Sequence, residues 1–229
     1  MSDPPDLWRR EYEQRGIPSS TREEPSGSVV DFVSFLASRG AIGGTAADLG
    51  CGAGRNSLFL VRSGFDLVHS FDLVAANIAS IAERVSALGL VGRVRPLCRS
   101  VAGPWPIEDD ALDAAIDTFC YKHLISQGDR AAYRRELVRT LRPGGFYLLT
   151  LADIDDGYYG PQLATSPSPD ERVIVDPANG IPSVLFSKDD VLSEFSSFFL
   201  DYYAHARKEG PMHGGQYLRS THIFIFSRS

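Results

Sequence analysis

Short apolar runs alternate with longer amphipathic segments through the middle of the chain. The apolar runs lie at residues 45–49, 67–71, 94–98, 111–119 and 146–151. Strands that are covered on both faces are apolar along their length, whereas a surface helix repeats its apolar positions about every 3.6 residues. The alternation of the two patterns predicts an α/β fold, with a parallel sheet and helices on both of its faces.

The segments between these runs predict four helices, and glycine or proline follows most of them, as is typical of helix ends. The predicted helices span residues 28–40, 55–63, 78–88 and 129–141. Right-handed connections through such helices bring the carboxyl ends of the strands to one edge of the sheet. We expect a ligand to bind at that edge.

The pattern changes after Leu151. Residues 153–183 hold several prolines, glycines and acids, together with the adjacent tyrosines Tyr158 and Tyr159. A connection of this length is unusual inside a compact domain, and such loops often carry function. We expect this loop to lie on the substrate side of the site.

The C-terminal part predicts one more helix and two more strands. The helix begins near Ser187, and the strands span residues 198–205 and 219–226. Residues 206–218 between them are rich in charge and glycine, so we expect a second substrate-side loop there. No internal repeat is visible, and residues 28–229 are predicted to form a single domain.

The N-terminal residues 1–27 are polar and interrupted by prolines, but they contain a possible short helix at residues 6–15. Trp8 and Tyr12 are four residues apart and therefore share a face of that helix. Two interpretations stay open: a surface helix held by two aromatic side chains, or a lid over the ligand. The hydroxyls and the guanidinium of residues 18–22 either reach a ligand or are solvated.

Composition narrows the class of protein. The 229 residues are 43% hydrophobic and 23% charged, which is typical of a soluble globular domain. The net charge is −6 without a long basic run, which argues against a large nucleic-acid footprint. The three cysteines are far apart and show no metal-ligand spacing. With neither a signal peptide nor a membrane span in the sequence, we expect a cytoplasmic protein without a bound metal.

A glycine-rich turn stands at the centre of the pattern. Residues 45–56 predict a buried strand, a turn with Gly50, Gly52 and Gly54, and the start of a helix. Glycine can adopt positive φ and has no Cβ to block a ligand, while the first N–H groups of the helix stay free to bind one. Asp48 adds a carboxylate at the end of the strand.

A second acid, Asp72, ends the apolar run at residues 67–71. A nucleotide-binding α/β unit places the acid that binds ribose hydroxyls at this position. The spacing G-x-G-x-G differs from the dinucleotide form G-x-G-x-x-G, and Asp48 would repel a pyrophosphate. The pattern therefore favours a nucleoside with a cationic or amino-bearing tail. A Rossmann-like domain that binds another nucleotide, or none, is the alternative.

The cofactor loop of class I S-adenosylmethionine-dependent methyltransferases resembles residues 48–56, which read Asp-Leu-Gly-Cys-Gly-Ala-Gly-Arg-Asn, followed by Asp72-Leu73. Residues 105–117 and 141–145 are similar to later segments of the same family, in the same order. The resemblance covers about residues 45–151. It implies a Rossmann-like, doubly wound sheet of about seven strands, mostly parallel with the last strand antiparallel, and S-adenosylmethionine as cofactor.

The resemblance also implies a set of cofactor contacts. By motif position, they are Asp48, Gly50, Cys51, Gly52, Gly54, Asn56, Asp72, Leu73, Ser100, Val101, Asp117, Thr118 and Phe119. Ser100 stands where the family usually has an acid that receives the adenine amino group. A hydroxyl can accept that hydrogen bond, but without charge it binds less tightly. The segment Asp117–Phe119 would face the transferable methyl group.

Candidates for catalysis and acceptor binding come from the remaining loops. His123 is the first candidate for a general base because histidine titrates near neutral pH, although a packing role at a helix start is the alternative. Asp153, just past the fifth strand, is a second candidate. The residues expected to bind the acceptor are Trp8, Tyr12, Tyr121, Tyr158 and Tyr159. Their aromatic character predicts a flat or apolar acceptor.

The sequence therefore predicts a small-molecule methyltransferase that carries out in-line methyl transfer to oxygen, nitrogen or sulfur. Methylation of RNA or protein is an alternative within the enzymes, but it needs a basic or extended groove that the sequence does not show. A cofactor-binding regulatory subunit without catalysis is the other alternative. Neither a nucleic acid nor a membrane is expected as a partner.

Overall fold

The computed structural model describes residues 4–17, 22–166 and 168–229. The helices are α1 Pro4–Gln14, α2 Gly27–Ala37, α3 Arg55–Arg62, α4 Ala75–Ala87, α5 Gln127–Thr140 and α6 Lys188–Glu194. The strands are β1 Thr45–Leu49, β2 Leu67–Asp72, β3 Val94–Cys98, β4 Leu112–Thr118, β5 Leu141–Ala152, β6 Val173–Val175, β7 Pro182–Val184, β8 Phe198–Met212 and β9 Gly215–Arg228. Short 3-10 helices occur at Tyr121–His123, Gly160–Thr165 and Pro169–Glu171.

Seven strands form one sheet in the order β3-β2-β1-β4-β5-β9-β8. Strands β1 to β5 pair in parallel, and β9 inserts antiparallel between β5 and β8. Strand order reverses between β1 and β4, so the carboxyl ends of these strands open a crevice in which ligands of α/β proteins bind. The Rossmann-like fold predicted from the sequence is confirmed, including the antiparallel last strand.

Helices cover both faces of the sheet, as the apolar strands predicted. Successive side chains of a strand point to opposite faces, so Ala46 and Ala47 enter two different cores. One core packs β1, β4 and β5 against α2, α3 and α4; the other packs the same strands against α5 and α6. None of the described helices is long and apolar enough to cross a bilayer.

The prediction of a loop at residues 206–218 is wrong for most of its length. Strands β8 and β9 stay paired from Phe198↔Arg228 to Met212↔Gly215, and only a two-residue turn separates them. His213 and Gly214 in that turn both have positive φ, 46° and 79°, as a tight hairpin requires. Between Phe198 and Met212, every residue of β8 is exposed or half-buried, so the sequence there does not show the apolar pattern of a buried strand.

The loop predicted at residues 153–183 contains more structure than its composition indicated. Two 3-10 helices lie within it, and β6 pairs antiparallel with β7, which begins at Pro182. Strands of three residues are too short to produce a visible hydrophobic period. Residues 18–21, for which the sequence leaves open a ligand contact or a solvated loop, lie outside the described residues.

Candidate active site

A cavity of about 390 Å³ opens at the carboxyl ends of β1, β2 and β4. Its volume is typical of pockets for small ligands. Most of the predicted cofactor contacts line it: Gly50, Cys51, Gly52, Asn56, Asp72, Leu73, Ser100, Val101, Thr118 and Phe119. Asp48, Gly54 and Asp117 do not, so a direct contact from these three is not what the structure shows.

The glycine turn leaves no room for side chains on the cavity wall. Gly50 and Gly52 have positive φ of 80° and 54°. A Cβ on Gly50 would lie 2.6 Å from Cβ of Cys120, and one on Gly52 would lie 2.4 Å from the hydroxyl of Tyr12. The bare backbone therefore permits the turn and also lets the segments after β4 and in α1 approach it closely.

Asp72 holds the glycine turn from the neighbouring strand. One of its carboxylate oxygens accepts a hydrogen bond from N–H of Gly52 at 2.9 Å. The other accepts from N–H of Val74 at 2.8 Å and from the amide of Asn77 at 3.3 Å. Burial raises the pKa of Asp72, while these hydrogen bonds oppose that rise by favouring the charged form. The result is a fixed carboxylate on the cavity wall beside the turn.

A comparison with protein-family models identifies the same region of the chain. The family model of a methyltransferase domain matches residues 46–145, which contain the turn, Asp72 and β4. This match identifies a methyltransferase domain in that part of the chain. No curated protein has a sequence that matches this chain significantly.

Solved structures at low identity share the fold. A methyltransferase from Methanosarcina mazei is 18% identical, with a TM-score of 0.69 over 82% of this chain and 93% of that one. The 1,6-didemethyltoxoflavin-N1-methyltransferase of Burkholderia thailandensis is 18% identical, with a TM-score of 0.70 over 100% and 92%. Geranyl diphosphate C-methyltransferase of Streptomyces coelicolor A3(2) is 15% identical, with a TM-score of 0.63 over 87% and 77%.

The residues present fit S-adenosylmethionine, the cofactor that the sequence predicts. Gly50 and Gly52 offer backbone without side chains, which a bulky nucleoside can approach. The Asp72 carboxylate can accept hydrogen bonds from ribose hydroxyls. Two acids near the turn, Asp48 and Asp72, suit a cofactor whose sulfonium is positively charged.

Asp48 supports the turn from inside the protein rather than from the cavity. It is fully buried, and one carboxylate oxygen accepts a hydrogen bond of 2.6 Å from the hydroxyl of Ser57 in α3. The other oxygen has no hydrogen-bond partner among the described residues. Burial raises the pKa of Asp48 to about 6 because it disfavours the charged form. Asp48 thus connects β1 to α3. It does not line the cavity, contrary to its predicted contact with the methionine end of the cofactor.

Asp117 is also buried behind the cavity wall and does not line it. It accepts hydrogen bonds from N–H of Cys120 at 2.8 Å and from the hydroxyl of Tyr133 at 2.8 Å. Burial raises its pKa to about 7. The side chain therefore shapes the chain after β4 and leaves Thr118 and Phe119 on the wall. Of the predicted segment Asp117–Phe119, only Thr118 and Phe119 line the cavity.

Asn56 joins three parts of the site. Its carbonyl oxygen accepts from N–H of Ser26 at 2.9 Å, and its amide donates to the hydroxyl of Thr118 at 3.2 Å. The N-terminal segment, α3 and the end of β4 are thereby fixed to one another. Thr150 lies on the same wall, and its buried hydroxyl has no hydrogen-bond partner among the described residues. Nothing in the sequence around Thr150 marked it as a site residue.

Helix α1 lies over the cavity. Trp8 and Tyr12 line it, and the buried Glu11 accepts hydrogen bonds from N–H of Ile17 at 2.8 Å and from the amide of Asn179 at 2.7 Å. The carbonyl of Gly16 accepts from N–H of His213 at 2.9 Å, in the turn of the β8–β9 hairpin. Hydrogen bonds thus join the N-terminal segment to the rest of the chain at Asn179 and at His213.

His123 lies on the wall with its imidazole fixed. Its Nδ1 is 2.9 Å from the carbonyl oxygen of Pro182, and a carbonyl can only accept, so Nδ1 carries the proton. The ring of Trp8 packs edge-on at 4.7 Å between centroids. Burial, with the neighbouring Lys122, lowers the pKa of His123 to about 3. The imidazole is therefore neutral, and its weak basicity reduces its value as the predicted general base.

Asp153 does not line the cavity, and its predicted catalytic role is corrected. Its carboxylate lies 2.7 Å from Nε2 of His205 and 3.3 Å from Nε2 of His222, and it accepts from the hydroxyl of Ser220 at 3.2 Å. Asp153 follows β5 with its side chain on the sheet face away from the cavity-lining Thr221. The side chains of Asp153, His205 and His222 could supply metal ligands, since their donor atoms lie within 4.8 Å of one another.

Two of the five predicted acceptor residues also lie elsewhere. Tyr121 is fully buried, and its hydroxyl hydrogen-bonds Glu194 and Arg134. Tyr158 donates to a carboxylate oxygen of Asp176 at 2.8 Å and does not line the cavity. Both follow a strand at the correct edge, but loop position alone does not decide the direction of a side chain. Trp8, Tyr12 and Tyr159 do line the cavity.

Sequence reasoning missed several basic residues on the cavity wall. They are Lys122, Arg219 and Lys208. Lys122 follows Tyr121 in the segment after β4, while Arg219 and Lys208 come from the hairpin whose length was underestimated. Charged residues in such segments resemble ordinary surface residues, so the sequence contains no signal that would have selected them.

Proposed function

We propose that the protein transfers a methyl group from S-adenosylmethionine to a small-molecule acceptor by in-line displacement. The main observation that supports this proposal is that the N-terminal segment covers the cavity. Helix α1 is hydrogen-bonded through Glu11 to Asn179, and Gly16, just after the helix, is hydrogen-bonded to His213 in the hairpin turn. A cavity covered in this way has room for a small molecule, whereas a folded protein or an RNA duplex needs an open groove.

The cofactor supplies a methyl group on a sulfonium, which leaves as a neutral thioether and needs no acid to protonate it. The chain therefore has to align the acceptor with the methyl group and exclude water. Gly50, Gly52 and Asp72 hold the nucleoside in our proposal. Thr118 and Phe119 flank the methyl group, and the aromatic residues of α1 close the site.

The N-terminal segment acts as a lid in this proposal. Its described contacts include hydrogen bonds, the ion pair of Glu23 with Arg84, the packing of Trp8 on His123 and the approach of Tyr12 to Gly52. Since none of these contacts is a backbone hydrogen bond between strands of the sheet, the segment can open without disturbing the sheet. Opening would release product, and closing would remove water. Two structural neighbours are described with small molecules, 1,6-didemethyltoxoflavin and geranyl diphosphate, which supports the same size class of acceptor. Free thiols at Cys51, Cys98 and Cys120 support a reducing cytoplasmic location.

The test is a methyl-transfer assay with a radiolabelled methyl donor and a cell extract, followed by separation of small from macromolecular products. We expect the label in the small-molecule fraction, and none when Asp72→Ala replaces the wild type. Label that stays with protein or RNA would contradict the proposed acceptor class. Absence of any binding of S-adenosylhomocysteine to the purified protein, measured by calorimetry, would contradict the cofactor site.

A further inference from the structure

Lys122 is a buried cation without a hydrogen-bond acceptor. Its side chain is 1% exposed, and Nζ has no hydrogen-bond partner among the described residues. The residue nevertheless lines the cavity. Its described contact is the ring of Tyr159, whose centroid lies 3.5 Å from Nζ. A ring face attracts an ammonium group but does not neutralise it, so the arrangement is incomplete until an anion arrives.

Asp156, one of two carboxylates whose charge acts on Lys122, already accepts hydrogen bonds from other groups. It accepts hydrogen bonds from N–H of Tyr158 and Tyr159, from Nε of Arg219 at 2.9 Å and from N–H of Ser220 at 3.0 Å. These donors use the lone pairs of both oxygens, and Asp156 forms its ion pair with Arg219. Asp156 therefore lowers the cost of burying Lys122 electrostatically without binding it.

Asp176, the second of these carboxylates, is occupied in the same way. One oxygen accepts from the hydroxyl of Tyr158 at 2.8 Å and from N–H of Ala178 at 2.9 Å. The other lies 3.1 Å from Nε2 of His213. Burial in this surrounding lowers the pKa of Lys122 to about 7, and the positive charge of Arg219 adds to the effect. An anion bound beside Nζ would raise it again.

The rest of this end of the cavity combines positive charge with apolar walls. The guanidinium carbon of Arg219 lies 5.2 Å from the same Tyr159 ring, and Lys208 lines the cavity as well. Apolar lining residues are Trp8, Ile181, Met212 and Ile223. A ligand that matches both features has an apolar body and one negatively charged group.

We propose that the methyl acceptor is an organic acid and that Lys122 binds its anionic oxygen group. The inference rests on the proposed function, because it names the class of acceptor for the same cavity. The carboxylate of the cofactor is a less suitable partner. Lys122 contacts Tyr159 from the segment after β5, whereas the glycine turn approaches Tyr12 and lies beside Arg55. Carboxylates and phosphates share the required chemistry.

Magnetic resonance of the lysine side chains tests the proposal, because only three lysine signals have to be assigned. They belong to Lys122, Lys188 and Lys208. The full-length protein, isotope-labelled at the lysine ε-carbon and saturated with S-adenosylhomocysteine, is titrated with benzoate, phenyl phosphate or the neutral benzamide. We expect one or both anions to move the Lys122 resonance and to raise its titration midpoint by about one unit or more. Benzamide should have no such effect, and the comparison of the two anions identifies the preferred oxygen group.

Lys122→Met keeps a long side chain but removes the charge. We expect it to bind the preferred anion at least about tenfold more weakly, with the affinity for S-adenosylhomocysteine unchanged. Lys188→Met is the matched control, since Nζ of Lys188 also lies over a tyrosine ring, that of Tyr203 at 4.3 Å, outside the cavity. It should bind anions like the wild type.

Three outcomes would overturn the inference. Benzamide could bind as well as both anions; Lys122→Met could bind the anions as well as the wild type; or Lys122→Met could lose affinity for S-adenosylhomocysteine, which would assign Lys122 to the cofactor carboxylate. Failure of the proposed function is distinguishable from all three, because it is the absence of S-adenosylhomocysteine binding in the wild-type protein.

Discussion

The two ends of the cavity are built by different means. At the end near the glycine turn, the polar groups are already paired with one another: Asp72 with the backbone of Gly52, and Asn56 with Thr118. At the other end, long side chains from α1, from the segment after β5 and from β9 line the cavity together with Lys122, whose Nζ has no hydrogen-bond acceptor among the described residues. Near the glycine turn, Asp48 and Thr150 each keep one buried polar atom without a described partner, but no buried charged side chain of the described residues on the wall there is left unpaired as Lys122 is at the other end.

This difference explains how one fold serves many acceptors. Backbone and short side chains at strand ends depend on the sheet, so their positions change little while the added segments vary. Side chains on added segments can change without disturbing the sheet. We therefore expect substitutions at the first end to affect cofactor binding, and those at the second end to affect acceptor binding or stability.

The largest effect is expected from Asp72→Ala. The change removes the carboxylate that we assign to the ribose and releases N–H of Gly52, so the affinity for S-adenosylhomocysteine should fall about a thousandfold. Calorimetry measures it. Asp201→Ala, at an exposed position of β8, is the control and should bind like the wild type. Retention of affinity in Asp72→Ala would show that the first end does not hold the nucleoside.

The second prediction concerns pH and the buried charge at the other end. The folded pKa of Lys122 is about 7, below its ordinary value of 10.5, so the unfolded chain binds more protons between these values. The cost of burying the charge is therefore full below pH 7 and disappears as the pH rises toward 10.5. The free energy of unfolding of the wild type should rise relative to Lys122→Met by on the order of 3 kcal/mol between pH 7 and 9.5.

Chemical denaturation of the ligand-free proteins at several pH values measures that difference. Lys122→Met should be the more stable protein at pH 7, which a lysine with a structural role would not allow. Lys188→Met again serves as the control and should show no such pH dependence relative to the wild type. A constant difference between wild type and Lys122→Met across this range would contradict the lowered pKa.

A smaller effect is expected where the two ends meet, at Gly52 and Tyr12. Gly52→Ala places a Cβ 2.4 Å from the hydroxyl of Tyr12 at a φ of 54°, so affinity for S-adenosylhomocysteine should fall about thirtyfold. Tyr12→Phe removes the hydroxyl, and the double substitution should recover part of the loss. The remainder reports the backbone conformation alone. If the effects of the two substitutions on affinity simply add in the double variant, the close approach of Tyr12 to residue 52 does not affect cofactor binding.

The smallest effect is expected from Glu11→Ala, which releases α1 from Asn179 and from N–H of Ile17. If the helix is a lid, the KM for the acceptor should rise about fivefold while cofactor affinity changes little. Glu13→Ala on the same helix is the matched control, since Glu13 is exposed and pairs with Arg9. Equal effects of the two substitutions would argue against the lid.

Much of the first end could be predicted from the sequence. The turn, Asp72 and the strands around them depend on residues close together along the chain, and their pattern is specific. The errors concern direction and burial: Asp48 and Asp117 were placed on the wall but point inside, and Tyr121 and Tyr158 pack away from the acceptor. Spacing alone does not decide which way a side chain after a strand points.

The sequence by itself determined the α/β class, the glycine turn and the acid at the end of β2, because local conformational preference and hydrophobic period specify these features. Only the tertiary structure decided that Lys122, Tyr159 and Arg219 meet, since they come from the segments after β4 and β5 and from β9. Whether a lysine is solvated or buried depends on what packs over it. That long-range packing is what turned an ordinary cation into a candidate for recognising the acceptor.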